Sequence, residues 1–192
     1  MTILPMCKAI AVGRTSAQTA FMQGVAHKCG FGLVEDTSHD IPSPDARIAF
    51  FLAHYQMGDD LLGKLVQQVR QAPGQTRFSP VILFSDDCSF EQVIKYVHLG
   101  FDDVLSLPDK KEMLIQRLNN QLLRQIMYVE TADYFGPDRR RLEVDGYSHQ
   151  RRLGLGGHAR YYFRRLPDAG VQIEKHQIFP ALHFEAPLRR VG

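Results

Sequence analysis

Pro80-Val-Ile-Leu-Phe-Ser-Asp86 and, after one helical segment, Gly100-Phe-Asp-Asp-Val-Leu-Ser-Leu-Pro108 decide how this chain is read. Val81 to Phe84 is continuously apolar. A strand covered on both faces has that pattern, whereas a strand with one wet face alternates. Phe90, Val93, Ile94 and Val97 recur at helical spacing, and Gly100 supplies a helix end. Asp103-Val-Leu-Ser-Leu107 is a further strand, and Pro108 stands where a helix tolerates proline best, at its start. Strand, helix, strand, helix in this order is a parallel crossover unit.

The same alternation extends upstream. Lys8-Ala-Ile-Ala-Val12 is a short apolar run closed by Gly13. Thr15 or Ser16 can cap a helix from about 17 to 28, ended by Gly30. Phe31-Gly-Leu-Val-Glu35 is a second strand, and Asp36 to Pro44 is too short and proline-broken for a good helix. Arg47-Ile-Ala-Phe-Phe-Leu-Ala53 is a third strand, followed by Leu61, Leu62, Leu65, Val66 and Val69 at helical spacing. Five strands, with helices after all but the second, predict an α/β fold with a doubly wound parallel sheet. On such a sheet functional groups gather at the carboxyl ends of the strands.

The quoted stretches resemble the CheY-like receiver domain of bacterial response regulators. The resemblance covers roughly residues 7–125, and Pro44-Asp-Ala-Arg-Ile-Ala-Phe-Phe51 also resembles the family's run into its third strand. It implies a flavodoxin-like five-stranded sheet in a bacterial, cytoplasmic signalling protein. An active receiver carries two acidic residues after its first strand for Mg²⁺, which takes hard oxygen ligands. Here Gly13 and Arg14 stand in that place. The family's phosphoacceptor Asp follows its third strand, where this chain offers Leu52, Ala53 and His54, with no Asp or Glu between Asp45 and Asp59. Leu107 replaces the family's Lys, and only the Ser/Thr position survives, as Ser85. The resemblance therefore implies a pseudo-receiver, with the fold kept and aspartyl phosphorylation lost, since phosphoryl transfer rests on positioning and charge stabilisation. His54 can in principle be nucleophilic, but nothing near it in sequence supplies metal ligands. The acidic pairs Asp59-Asp60, Asp86-Asp87 and Asp102-Asp103 read as helix starts and loops rather than metal sites. No cofactor is implied.

Asp109 to about Glu130 is rich in helix formers, with Leu114, Ile115, Leu118, Leu122, Ile126 and Met127 as an apolar stripe. The expectation is one long last helix. It is either a core helix with a frayed end or one whose extra turns dock or form a homodimer. Beyond it the composition changes. Residues 1–128 hold 12 Lys+Arg against 13 Asp+Glu; residues 129–192 hold 11 against 8, and ten of those 11 cations are Arg. We expect a receiver-like domain over 1–130 and an Arg-rich extension over 131–192.

Tyr134-Phe-Gly-Pro-Asp-Arg-Arg-Arg141 joins a turn to three adjacent guanidinium groups, which suit phosphate, carboxylate and flat rings. Gly154-Leu-Gly-Gly157 lacks the strand and helix that a phosphate loop needs. Leu166-Pro-Asp-Ala-Gly170 between two β-prone runs predicts a hairpin over 159–178, with Tyr161 and Phe163 on one face and Arg160, Tyr162 and Arg164 on the other. Arg139, Arg140, Arg141, Arg151, Arg152, Arg160, Tyr162 and Arg164 are the candidate binding residues. Three readings stay open for them: a solvated surface, a second signalling protein or other acidic partner, and a nucleotide. Some receiver-like proteins bind cyclic di-GMP through Arg-rich C-terminal segments, and Asp138-Arg139-Arg140-Arg141 loosely resembles these. A nucleic acid belongs with the nucleotide reading, but an excess of only +3 argues against a strong non-specific DNA binder.

Three well-separated cysteines and the absence of CxxC argue for reduced thiols and against a zinc or disulfide framework. His149, His158, His176 and His183 have no metal-ligand spacing. No apolar stretch approaches the ~20 residues of a membrane span. The rival from another class is an enzyme on the same sheet, built from Gly13, Arg14, His54, Ser85 and Asp86.

Overall fold

A computed structural model describes residues 2–36, 48–86, 89–138 and 157–181. Its first sheet has strands β1 (Lys8–Val12), β2 (Leu33–Asp36), β3 (Ala49–His54), β4 (Val81–Ser85) and β5 (Asp103–Ser106). All are parallel, in the order β2-β1-β3-β4-β5. This is the doubly wound, CheY-like order. Helices α1 (Ser16–Cys29) and α4 (Lys111–Asn119) cover one face; α2 (Asp59–Gln71) and α3 (Phe90–Leu99) cover the other. The strands are apolar at consecutive positions because both faces are buried. Ala9, Ala11, Phe50, Leu52, Ile82 and Phe84 face α1 and α4. Ile10, Phe51, Ala53, Val81 and Leu83 face α2 and α3.

Thr15 caps α1 by accepting the Gln18 N–H, and Gly30 ends it in the left-handed region at φ 87°. Gly100 ends α3 in the same way at φ 115°. Such angles favour a residue without a Cβ. Among the described residues no helix is long and apolar enough to cross a membrane.

The long last helix is corrected. α4 stops at Asn119, and the stripe beyond it divides. Leu122 stays in the first core, Leu123 turns the chain at φ 61°, and Ile126–Glu130 becomes strand β6. Asn119 and Asn120 are poor helix formers, and Ile126, Tyr128 and Val129 are β-prone. Tertiary pairing then decides between the two states. The protruding turns expected to support a dimer are therefore not helical.

β6 opens a second sheet with β7 (Phe135–Pro137), β8 (His158–Leu166) and β9 (Gly170–Phe179). All its pairings are antiparallel, in the order β7-β6-β8-β9. β8 and β9 form a hairpin closed at Gly170 (φ 79°), and β6 pairs along β8. Its inner face carries Tyr128, Phe135 and Phe163, which pack around Phe78 in the 3-10 turn (Gly74–Phe78) before β4. Ring centroids lie 4.9 Å (Phe163) and 5.2 Å (Phe135) from that of Phe78. Edge-to-face pairs of this kind add about 0.5–1.5 kcal/mol each to the burial of their area. The second sheet thus docks at the amino-terminal end of the parallel strands. Their carboxyl ends lie at the far side.

Candidate functional site

The carboxyl ends bring together the residues that the sequence places there. Gly13 and Arg14 follow β1. The Arg14 backbone N–H donates to Gln18 Oε1 at 2.8 Å, and its side chain is exposed. Gly13 has a local reason: a Cβ there would lie 2.6 Å from the Thr19 nitrogen in the first turn of α1. β3 ends on Ala53 and His54, Ala53 fully buried against α2. Ser85 ends β4 opposite Ser106 and is buried, and Leu107 donates its N–H to the Ser85 carbonyl at 2.7 Å.

The electrostatics of this end are mild. His54 Nδ1 accepts the Gln56 N–H at 3.2 Å, so that nitrogen is unprotonated. Burial lowers the His54 pKa, and the Asp86 carboxylate offsets this in part. Tyr55 donates its hydroxyl to Asp86 at 2.5 Å, and that bond, with some burial, raises the phenol. Asp86, just past β4, is already engaged. Among the described residues no three His, Cys, Asp or Glu are placed to share a metal ion. Asp59, of the first acidic pair, binds Lys95 at 2.6 Å in the first turn of α2. What this end can do chemically is hold a neutral imidazole and one engaged carboxylate beside an apolar wall.

The hairpin divides its candidate residues by face. Arg160, Tyr162 and Arg164 share the face turned away from the Phe78 cluster. Arg164 pairs with Glu174 at 2.6 Å, and the Arg160 guanidinium lies 4.8 Å from the Phe179 ring. The Arg160 Nε is buried with no hydrogen-bond partner among the described residues. Lys175 approaches the Tyr162 ring at 5.7 Å. Arg139, Arg140, Arg141, Arg151 and Arg152 lie outside the described residues, so the cyclic di-GMP expectation rests on the sequence alone.

The strongest electrostatic site is one that the sequence reading missed. Arg165 is fully buried. Its Nη2 donates to Asp102 Oδ1 at 2.9 Å and to the Tyr128 hydroxyl at 2.6 Å, and its Nε to the Phe78 carbonyl at 2.8 Å. Arg70 approaches from α2 and donates to Asp102 Oδ2 at 2.7 Å and to the Ser79 carbonyl at 2.7 Å. Tyr128 donates to Asp102 at 2.6 Å, as does the Val81 N–H at 2.8 Å. Burial alone would raise the Asp102 carboxyl. The Arg165 and Arg70 charges outweigh it and hold that group well below the usual carboxylate range. Burial pushes the Tyr128 phenol up, and the Asp102 charge adds to that. A signal for Arg165 was present: in a strand it shares the face of Tyr161 and Phe163.

No family model matches the chain, and no curated protein matches it. One solved structure that resembles it is a response regulator in red-light signalling of R. palustris. It is 15% identical, with a TM-score of 0.39, and the match covers 59% of this chain and 90% of that one.

Proposed function

We propose that this chain is a receiver-like signalling module that acts by recognition instead of catalysis or aspartyl phosphorylation. The observation that carries this reading is the end of β3, where buried Ala53 and His54 occupy the positions a phosphoacceptor carboxylate would need. The surroundings support it. Arg14 follows β1 where metal ligands would be required, and Leu107 follows β5 where a cation would be required. An acyl phosphate needs a carboxylate to attack phosphorus and an oxygen-rich metal shell beside it. The partner is a second signalling protein. The face of the second sheet that carries Arg160, Tyr162 and Arg164 is the surface we assign to it. Arginine and tyrosine supply much of the binding energy in protein interfaces.

Incubation of the full chain with acetyl phosphate and Mg²⁺, read by intact mass, tests the first half. The expected result is no phosphoryl adduct. A hydroxylamine-labile phosphoryl adduct mapped to any Asp at the strand ends overturns the reading. Cross-linking in the native cell tests the second half: capture of a signalling protein should be lost in Arg160→Glu/Arg164→Glu and kept in Arg14→Ala.

A further inference from the structure

A groove of about 610 Å³ runs between α1 and α4, below the strand ends. That volume lies within the range of small-molecule sites. Its walls are Phe21, Gly24 and Val25 from α1, Leu114 from α4, and Leu107 after β5. Leu107 therefore has a second consequence: where a receiver would place a cation, this chain places apolar wall. Gly24 faces open space in the groove: a Cβ there would meet nothing within 4 Å. From Phe21 to Lys28, seven steps along α1, the groove extends about 10 Å at ~1.5 Å per residue.

Its charges are unequal in what they already bind. The Asp86 carboxylate is held by the Tyr55 hydroxyl, and Asp109 accepts the Lys110 N–H at 2.7 Å. Lys28 and Lys111, one from each helix, also line the groove. None of the ion pairs among the described residues uses either lysine. The Lys111 charge acts across the groove on the Cys29 thiol, opposing the burial that raises it. An apolar groove lined by two ammonium groups outside those ion pairs complements a long apolar body with one anionic head.

We propose that the groove binds an elongated amphipathic carboxylate, with its apolar body along Gly24 and Val25 and its carboxylate between Lys28 and Lys111. This goes beyond the recognition role above: it gives the module a small-molecule input beside the strand ends, where a receiver takes a phosphoryl group.

Submicellar decanoate, decanol and decylammonium, titrated into the full chain by calorimetry and thermal shift, test the assignment. Decanoate should bind saturably and raise the melting temperature, as a ligand of the folded state does. Decylammonium should not. Gly24→Leu fills the groove and suits a helix better than glycine, so it should stay folded and weaken decanoate by roughly tenfold or more. Lys28→Glu/Lys111→Glu should weaken decanoate by a similar factor, leave decanol unchanged and admit decylammonium. Three results overturn the proposal: equal binding of decanoate and decylammonium, decanoate binding untouched by Gly24→Leu, or no decanoate binding by the folded wild-type chain.

Discussion

The two ends of the parallel sheet are built on opposite electrostatic terms. At the carboxyl end, where folds of this order place their chemistry, stand a neutral His54, the engaged Asp86 and the exposed Arg14, with Asp36 ending β2 and Asp109 following β5. At the amino end, Asp102, Arg70, Arg165 and Tyr128 form a buried network between elements distant in sequence. Desolvating three charges is costly, and only close pairing with full hydrogen bonding offsets it. The comparison teaches that buried, strong electrostatics here attach one sheet to another, while the end suited to chemistry carries its charges exposed.

The comparison breaks most readily at Arg165. Arg165→Met leaves Asp102 with one cation and opens several hydrogen bonds, and should cost about 3–5 kcal/mol. Urea unfolding checks this, and a loss no larger than that of a surface variant would dissolve the contrast. Tyr128→Phe keeps the ring against Phe78 and deletes the bond to the carboxylate. It should cost about 1.5–3 kcal/mol, read from the same transition. The acid limb of stability sharpens the picture. The Asp102 carboxyl is lowered in the folded chain, so the unfolded chain binds more protons as pH falls. Its contribution is complete above the ordinary carboxylate pKa of about 4 and declines below it. Melting temperatures from pH 6 down to 2 should show that decline, and Arg165→Met, which removes the larger opposing charge, should flatten it. The smallest effect belongs to the carboxyl end: Arg14→Ala should change stability by no more than about 0.5 kcal/mol.

Much of the first sheet was legible because its strands are short apolar runs bounded by glycine, proline and amphipathic helices, all local signals. β6 was not. Leu118, Leu122 and Ile126 keep helical spacing, and the strand state of Ile126–Glu130 depends on β8, whose paired residues lie about 30 or more positions later. The degenerate strand ends could be read from residue types alone, since a missing carboxylate needs no geometry. The buried network could not. Alternation along β8 puts Arg165 on the inner face, yet its partner Asp102 is 63 residues away. In sequence, Arg164-Arg165 looks like one more exposed pair, whereas one of its members is salt-bridged at the surface and the other is fully buried.

The network also has an order in time. Its members sit at positions 70, 102, 128 and 165, so a ribosome releases the second cation last. At about 5–20 residues per second, domains fold from their N-terminus as they emerge. For some seconds, then, a nascent chain holds Asp102 half-compensated and Phe78 without its Phe163 cover. Arrested chains ending at 150 should be cleaved by protease near residues 76–80, and chains released at 192 should resist. An incomplete copy of this protein therefore displays a half-covered aromatic ring and a half-paired carboxylate together, the kind of surface by which chaperones and proteases sort unfinished chains from finished ones.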